Sequence, residues 1–179
     1  MTEQEFKNPL SIPNDAFVYR QVNLAHLKHE LGNRKKRFPK ESHFKPDADG
    51  LSVHWNRFID VKGIYHIIGI SFKPETTEFK DYRTFRVFSF PINFLKEVDG
   101  INSIIHSPVF NGNPAPVGFP NNYAHSSILY PDDEEIRIKL STYCNEKYAE
   151  CFCPTDLNLL DIEINPLRER LNQTEYHLL

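Results

Sequence analysis

Residues Val109 to Pro131 read VFNGNPAPVGFPNNYAHSSILYP, and no other stretch restricts the fold as much. Its first fourteen residues, Val109 to Asn122, hold Pro114, Pro116 and Pro120 together with Gly112 and Gly118. Each proline fixes φ and removes a backbone donor, and each glycine opens conformations closed to other residues. A regular helix or strand does not fit there, and compact domains seldom keep so long a loop unless it is functional or disordered. The loop runs into a strand-like segment, Tyr123 to Tyr130, that carries His125. A site is therefore expected where the loop delivers His125 to the end of a sheet.

The flanking patterns supply that sheet. Ala16 to Val22 alternates as a first strand with Arg20 inside it, and Asn23 can cap a short helix that stops at Gly32. Leu51 to Ile59 begins with strand alternation, placing Leu51 and Val53 on one face and Ser52 and His54 on the other. Gly63 to Phe72, β-branched and aromatic, reads as the central strand. Thr84 to Phe90 alternates with Phe85, Val87 and Ser89 on one face, Pro91 opens a short helix ended by Asp99-Gly100, and Ile101 to His106 is a further strand. Asp132 or Asp133 caps the clearest helix, EEIRIKLSTYCNEKY, whose Ile136, Leu140, Tyr143, Cys144 and Tyr148 form one stripe. After Pro154 come a short element and a last helical piece beyond Pro166. The order predicts an α+β fold, a mixed or mainly antiparallel sheet with a few helices packed on one side. A flexible polar arm over residues 1–15 and a single globular domain over 16–179 are expected, since 179 residues suffice for one core.

Composition narrows the function classes. A formal net charge of -3 and a pI near 6.2 exclude a protein that is basic overall, so any nucleic-acid contact must be local. The one candidate is the run NRKKRFPK with Arg34, Lys35, Lys36 and Arg37, which a solvated loop explains equally well. The start, MTEQEFKNPLSIPND, lacks a basic-then-apolar leader, and no apolar run reaches the roughly 18 residues of a span, so a cytoplasmic protein off the membrane is expected. Three cysteines within ten residues, Cys144, Cys151 and Cys153, make a poor disulfide framework and fit a reducing compartment.

Three stretches, YRQV at Tyr19–Val22, SHFKPDADGLSV at Ser42–Val53 and NNYAHSSI at Asn121–Ile128, together resemble a family of small uncharacterised bacterial proteins. That family's pattern has an early Arg after an aromatic residue, Phe-x-Pro, Asp and Leu-Ser-Val, then an Asn/Pro loop with His-Ala before a strand. Here Ala124 precedes His125 and Ser126 follows it, a departure that shifts the local register. The resemblance supplies no mechanism; it implies a bacterial origin and the neighbourhood of toxin, defence or mobile-element genes.

The polar residues of these stretches, Arg20, His43, Ser52, His54, Arg57, Asn122 and His125, form the candidate set. An arginine, a serine and a histidine meeting at a sheet end can hold a phosphate, nucleotide or carboxylate, because the guanidinium offers a bidentate fork. In that reading Arg20 binds the anion, Ser52 orients it and His125 is the general acid/base. That reading is the alternative; the preferred one is partner binding in a defence- or toxin-associated system, through the Val109–Asn122 loop and the Ser42–Arg57 segment, with an exposed apolar patch at Phe110, Val117 and Phe119.

Weaker signals each have a plainer explanation. The early Tyr-Arg with a strand serine is similar to fragments of ADP-ribosyltransferase folds, where Glu134, Glu135 or Glu163 would have to act, and no spacing selects among them. His125-Ser126-Ser127 fits half of a two-histidine phosphoesterase signature, but no second His-x-Ser copy follows. His26 and His29 lie at helical i,i+3 spacing without a third ligand, and the Cys-x-Cys pair lacks the usual zinc spacing. Aromatic residues interleaved with Arg83 and Arg86 suggest nucleic-acid stacking, yet strand alternation already accounts for them. No Walker loop, GxGxxG, GxSxG or HExxH is present, and neither cofactor nor metal is expected.

Overall fold

The computed structural model describes residues 10–24, 38–73, 76, 78–111, 114–115, 122–154 and 157–173. Its centre is a five-stranded sheet of β1 (Phe17–Asn23), β2 (Leu51–Trp55), β3 (Phe85–Pro91), β4 (Ser103–His106) and β7 (His125–Leu129). The spatial order is β3-β1-β2-β7-β4 and every pairing is antiparallel. The expected α+β class and antiparallel sheet are therefore observed. Two dipeptides of the proline-rich loop, β5 (Phe110–Asn111) and β6 (Pro114–Ala115), pair with each other outside this sheet. The loop's ends close through Val109 and Asn122, whose backbones exchange hydrogen bonds of 3.0 and 2.7 Å.

Strand alternation divides the sheet into two faces. On one, Val18, Val22, Leu51, Val53, Trp55, Phe88, Phe90 and Ile128 bury against α2 (Ile92–Glu97) and α3 (Glu134–Glu146), which contribute Ile92, Leu95, Ile136, Leu140 and Cys144. On the other, Phe85 and Val87 meet α1 (Val61–Ile70) and α4 (Leu157–Gln173) through Ile64, Tyr65, Ile68, Leu160 and Ile164. Gly69 lets the two helices close: a Cβ there would lie 2.7 Å from Ile164 Cδ1. Lys62 and His66 reach Glu163 at 2.6 Å each, while Tyr82 and Arg83 converge on Asp161 at 2.5 and 2.7 Å, fixing α4 to this face.

Three expectations are corrected. The helices, expected on one side, cover both faces of the sheet, because both faces carry apolar strand residues. Gly63 to Phe72, read as the central strand, is mostly helix α1. Asp60 caps it by accepting the Gly63 N–H at 2.8 Å, and Ile64, Tyr65 and Ile68 fall on one buried face while Lys62 and His66 point to α4. Tertiary packing of that face outweighs the β propensity of its residues. The tail is one helix, with Pro166 inside α4 instead of between two elements. Pro166 is exposed, so its missing donor and ring face solvent while Leu160 and Ile164 keep the buried side continuous. The far end of the arm over residues 1–15 is docked, with Ile12 buried in the core and the Lys96 ammonium donating to Asn14 Oδ1. The short helix before Gly32, His26 and His29, and Arg34, Lys35, Lys36 and Arg37 lie outside the described residues.

Gly50 sets the entry to β2. Its φ of +93° follows the Asp47–Gly50 turn, and a Cβ at this position would stand 2.7 Å from the Ile128 carbonyl oxygen. That turn and the rungs Leu51/Ile128, Ser52/Ser127, Val53/Ser126 and His54/His125 put β2 and β7 in a fixed register.

Candidate functional site

This register brings the polar residues together. β2 reads Ser52-x-His54 and β7 reads His125-x-Ser127, so antiparallel pairing sets serine opposite serine and histidine opposite histidine on one face. The next strand, β4, places Ile105 opposite Ser127, and Ser107 just beyond β4 donates its N–H to the His125 carbonyl at 3.1 Å. Ser127 and His54 are buried, His125 is partly buried and Ser52 is exposed, which leaves an accessible rim at Ser52.

His125 is held at both ring nitrogens. Its Nδ1 lies 2.6 Å from the Ser107 carbonyl oxygen and 3.0 Å from Ser107 Oγ; since a carbonyl only accepts, Nδ1 carries the proton. The Nε2 lone pair then faces Ser52 Oγ at 3.2 Å, the outer range for a nucleophile–base contact. Ser107 Oγ continues to Ser127 Oγ at 3.0 Å, extending the chain of hydroxyls behind the ring. Burial, the largest cause, lowers the His125 pKa, the Ser107 contact opposes that shift, and the His106 charge adds to it. The imidazole is thus biased toward the neutral form that accepts a proton.

His54 is set deeper. Asn122 Nδ2 donates to His54 Nδ1 at 3.2 Å, leaving Nε2–H as the donor of the neutral ring. Burial and the neighbouring His125 push its pKa down to about 3, so it is uncharged at neutral pH. Asn122 is itself pinned by both backbone bonds to Val109 and by the His125 N–H to its carbonyl at 3.2 Å, which explains how the loop end fixes a side chain over the sheet.

The remaining candidates fall elsewhere. Arg20 has the parity of Val18 and Val22, so it does not join His125. Its Nη1 donates to the Ser52 carbonyl at 2.7 Å and its Nη2 to the His43 carbonyl at 2.9 Å. The expected meeting of Arg20, Ser52 and His125 is thereby corrected: Ser52 and His125 converge, and Arg20 reaches only the Ser52 backbone. His43 is a backbone clamp, its ring nitrogens lying 3.2 Å from the Lys40 carbonyl and 3.1 Å from the Asn23 carbonyl. Arg57 lies 5.5 Å from the centroids of both Trp55 and Phe58, past the end of β2. Glu163 is engaged by Lys62 and His66, and Glu134 and Glu135 sit in the exposed first turn of α3. Phe85 and Val87 are core, as strand alternation implied. Val117, Phe119 and the Phe110 side chain lie outside the described residues.

Ser107 is not among the sequence candidates, and Ser127 enters only as the hydroxyl of the phosphoesterase half-signature. The mirrored Ser-x-His and His-x-Ser pair, which only antiparallel pairing superposes, is the signal for Ser127; no local pattern marks Ser107. No group of three metal-ligating side chains occurs among the described residues, and no described helix is long and apolar enough to cross a membrane. Comparison with known proteins finds no matching family model, no matching curated protein and no matching solved structure.

Proposed function

We propose that this protein is an enzyme that attacks an uncharged ester, with Ser52 as nucleophile and His125 as general base. The supporting observation is the His125 imidazole itself, tied by Nδ1 to a carbonyl so that its Nε2 lone pair meets an exposed serine hydroxyl at 3.2 Å. A nucleophile, a base and a third group that orients the base are the parts such chemistry requires. The orienting group here is a backbone carbonyl, which fixes the tautomer without adding charge.

The surroundings favour an uncharged substrate. His54 and His125 are both biased to the neutral form, and Arg20 points away, so among the described residues this face offers no cation to a phosphate. Ile105, 39% exposed beside Ser127, supplies an apolar rim for an acyl or alkyl group. In the attack, Ser52 Oγ bonds to the ester carbonyl carbon as its proton passes to His125 Nε2. The ester C–O bond breaks and the leaving alcohol takes that proton. Water, deprotonated by Nε2, then releases the acyl group as a carboxylic acid and restores the serine hydroxyl. Partner binding through the Val109–Asn122 loop rests on side chains outside the described residues and carries no proposal here.

The test is covalent capture. A fluorophosphonate probe incubated with the folded protein at neutral pH is expected to modify Ser52, located by peptide mass spectrometry. Ser52→Ala removes the adduct, and His125→Gln slows its formation by roughly 10²–10⁴-fold, the range of general-base contributions. A folded protein whose Ser52 stays unmodified at millimolar probe, or a His125→Gln variant labelled as fast as the parent, overturns the proposal.

A further inference from the structure

Arg20 poses a separate question, because its charge is not matched. A guanidinium has five N–H donors, and the two carbonyls of Ser52 and His43 occupy one each on Nη1 and Nη2. Its Nε is buried with no hydrogen-bond partner, and among the described residues no carboxylate forms an ion pair with it. Shielded cations are ordinarily paired with an oxyanion, since carbonyl dipoles hold the fork but leave its charge in place.

The space beside it has the shape of a site. The β1/β2 ladder carries only the rungs Val18/Trp55 and Tyr19/His54, and the strands part where Arg20 bonds to Ser52 instead. A cavity of about 440 Å³ opens there, lined among others by Arg20, Gln21, Asn23, His43, Lys45 and Asp47. That volume lies within the range of small-molecule pockets. Lys45 adds a second cation, whose only described carboxylate contact is a long one of 3.7 Å to Asp132. Asp47 is the one acidic residue among the lining side chains.

We propose that this cavity binds a small oxyanion, a carboxylate or a phosphate, on the Arg20 guanidinium, with Lys45 as a further donor. The proposal does not depend on the Ser52–His125 chemistry, whose face Arg20 does not enter.

The experiment is an NMR titration of isotope-labelled full-length protein with sodium acetate and sodium phosphate at constant ionic strength, with chloride as control. Saturable shifts of the Arg20 Nε–H and of the Lys45 amide are expected with acetate or phosphate and not with chloride; the arm that saturates at lower concentration identifies the oxyanion. Lys45→Ala, which touches neither carbonyl clamp, is expected to weaken binding several-fold, and Arg20→Lys to abolish it through loss of the planar fork. Chloride giving the same shifts, no saturable response, or unchanged affinity in Lys45→Ala would each overturn the proposal, whether or not Arg20→Lys folds.

Discussion

Acidification from about pH 7.5 to about pH 5 protonates His54 in the unfolded chain and leaves it neutral in the folded one. The folded value is depressed to about 3 by burial first and by the facing His125 second, against the ordinary 6.5. A depressed value means that the neutral ring is the one the fold accepts. Its stabilising contribution is complete above the unfolded pKa and is lost as pH falls toward the folded one. At about pH 5 the unfolded histidine gains a factor of roughly 30 from proton binding, or about 2 kcal/mol, while the folded one gains almost nothing. Because that pH lies well above the folded value, the magnitude is set by the unfolded pKa alone. Urea unfolding of the parent and of His54→Gln at both pH values isolates the effect. Carboxylates and His125 contribute to both proteins and cancel in the difference, and a constant loss from the substitution cancels between the two pH values. The parent is expected to lose about 2 kcal/mol more than the variant on acidification. Equal losses would refute both the burial of a neutral His54 and the register that sets it against His125.

Two further predictions concern the frame that holds this register. Gly50→Ala forces a side chain onto a left-handed backbone 2.7 Å from the Ile128 carbonyl and is expected to cost at least about 1–3 kcal/mol in thermal or urea unfolding; an unchanged midpoint rejects the turn geometry. Asp133→Ala removes the cap that accepts the Glu135 and Ile136 N–H groups at 2.7 and 3.4 Å, an expected loss of about 1 kcal/mol that shows as a lower melting temperature with the α3 signal otherwise intact.

The strands were legible wherever alternation was bounded by turn residues, as in Phe17–Asn23, Leu51–Trp55 and Phe85–Pro91. Helix α1 was not, because its Ile and Tyr content measures burial, and burial is shared by a central strand and by a helix face. Its Ile64/Ile68 spacing and the Asp60 cap were the better signals. The site was half legible for a related reason. Within β2 the sequence places Ser52 and His54 on one face, but which face of β1 or β7 joins them depends on register. A slip of one residue exchanges every side chain between faces. Chemistry alone groups Arg20 with Ser52, whereas the observed register, with Val18 opposite Trp55 and Tyr19 opposite His54, puts it on the other side.

That register has a consequence for the chemistry. A strand directs its carbonyls within the sheet and its side chains across it, so Ser52 can present its carbonyl to Arg20 and its hydroxyl to His125 without bringing the two together. In the proposed reaction this separation keeps the guanidinium charge away from His125. When the imidazole takes the Ser52 proton it becomes a cation, and a guanidinium about 4 Å away would oppose this by about 4 kcal/mol at an effective dielectric of about 20. That penalty corresponds to about three pKa units, enough to abolish base catalysis at neutral pH. At His54, on the same face, the Arg20 charge is the last of four influences, behind burial, His125 and Asn122. Under the two proposed roles, one strand residue divides the region into a face for proton transfer and a cavity for anion binding, and an arginine on the Ser52 face would supply the second only by suppressing the first.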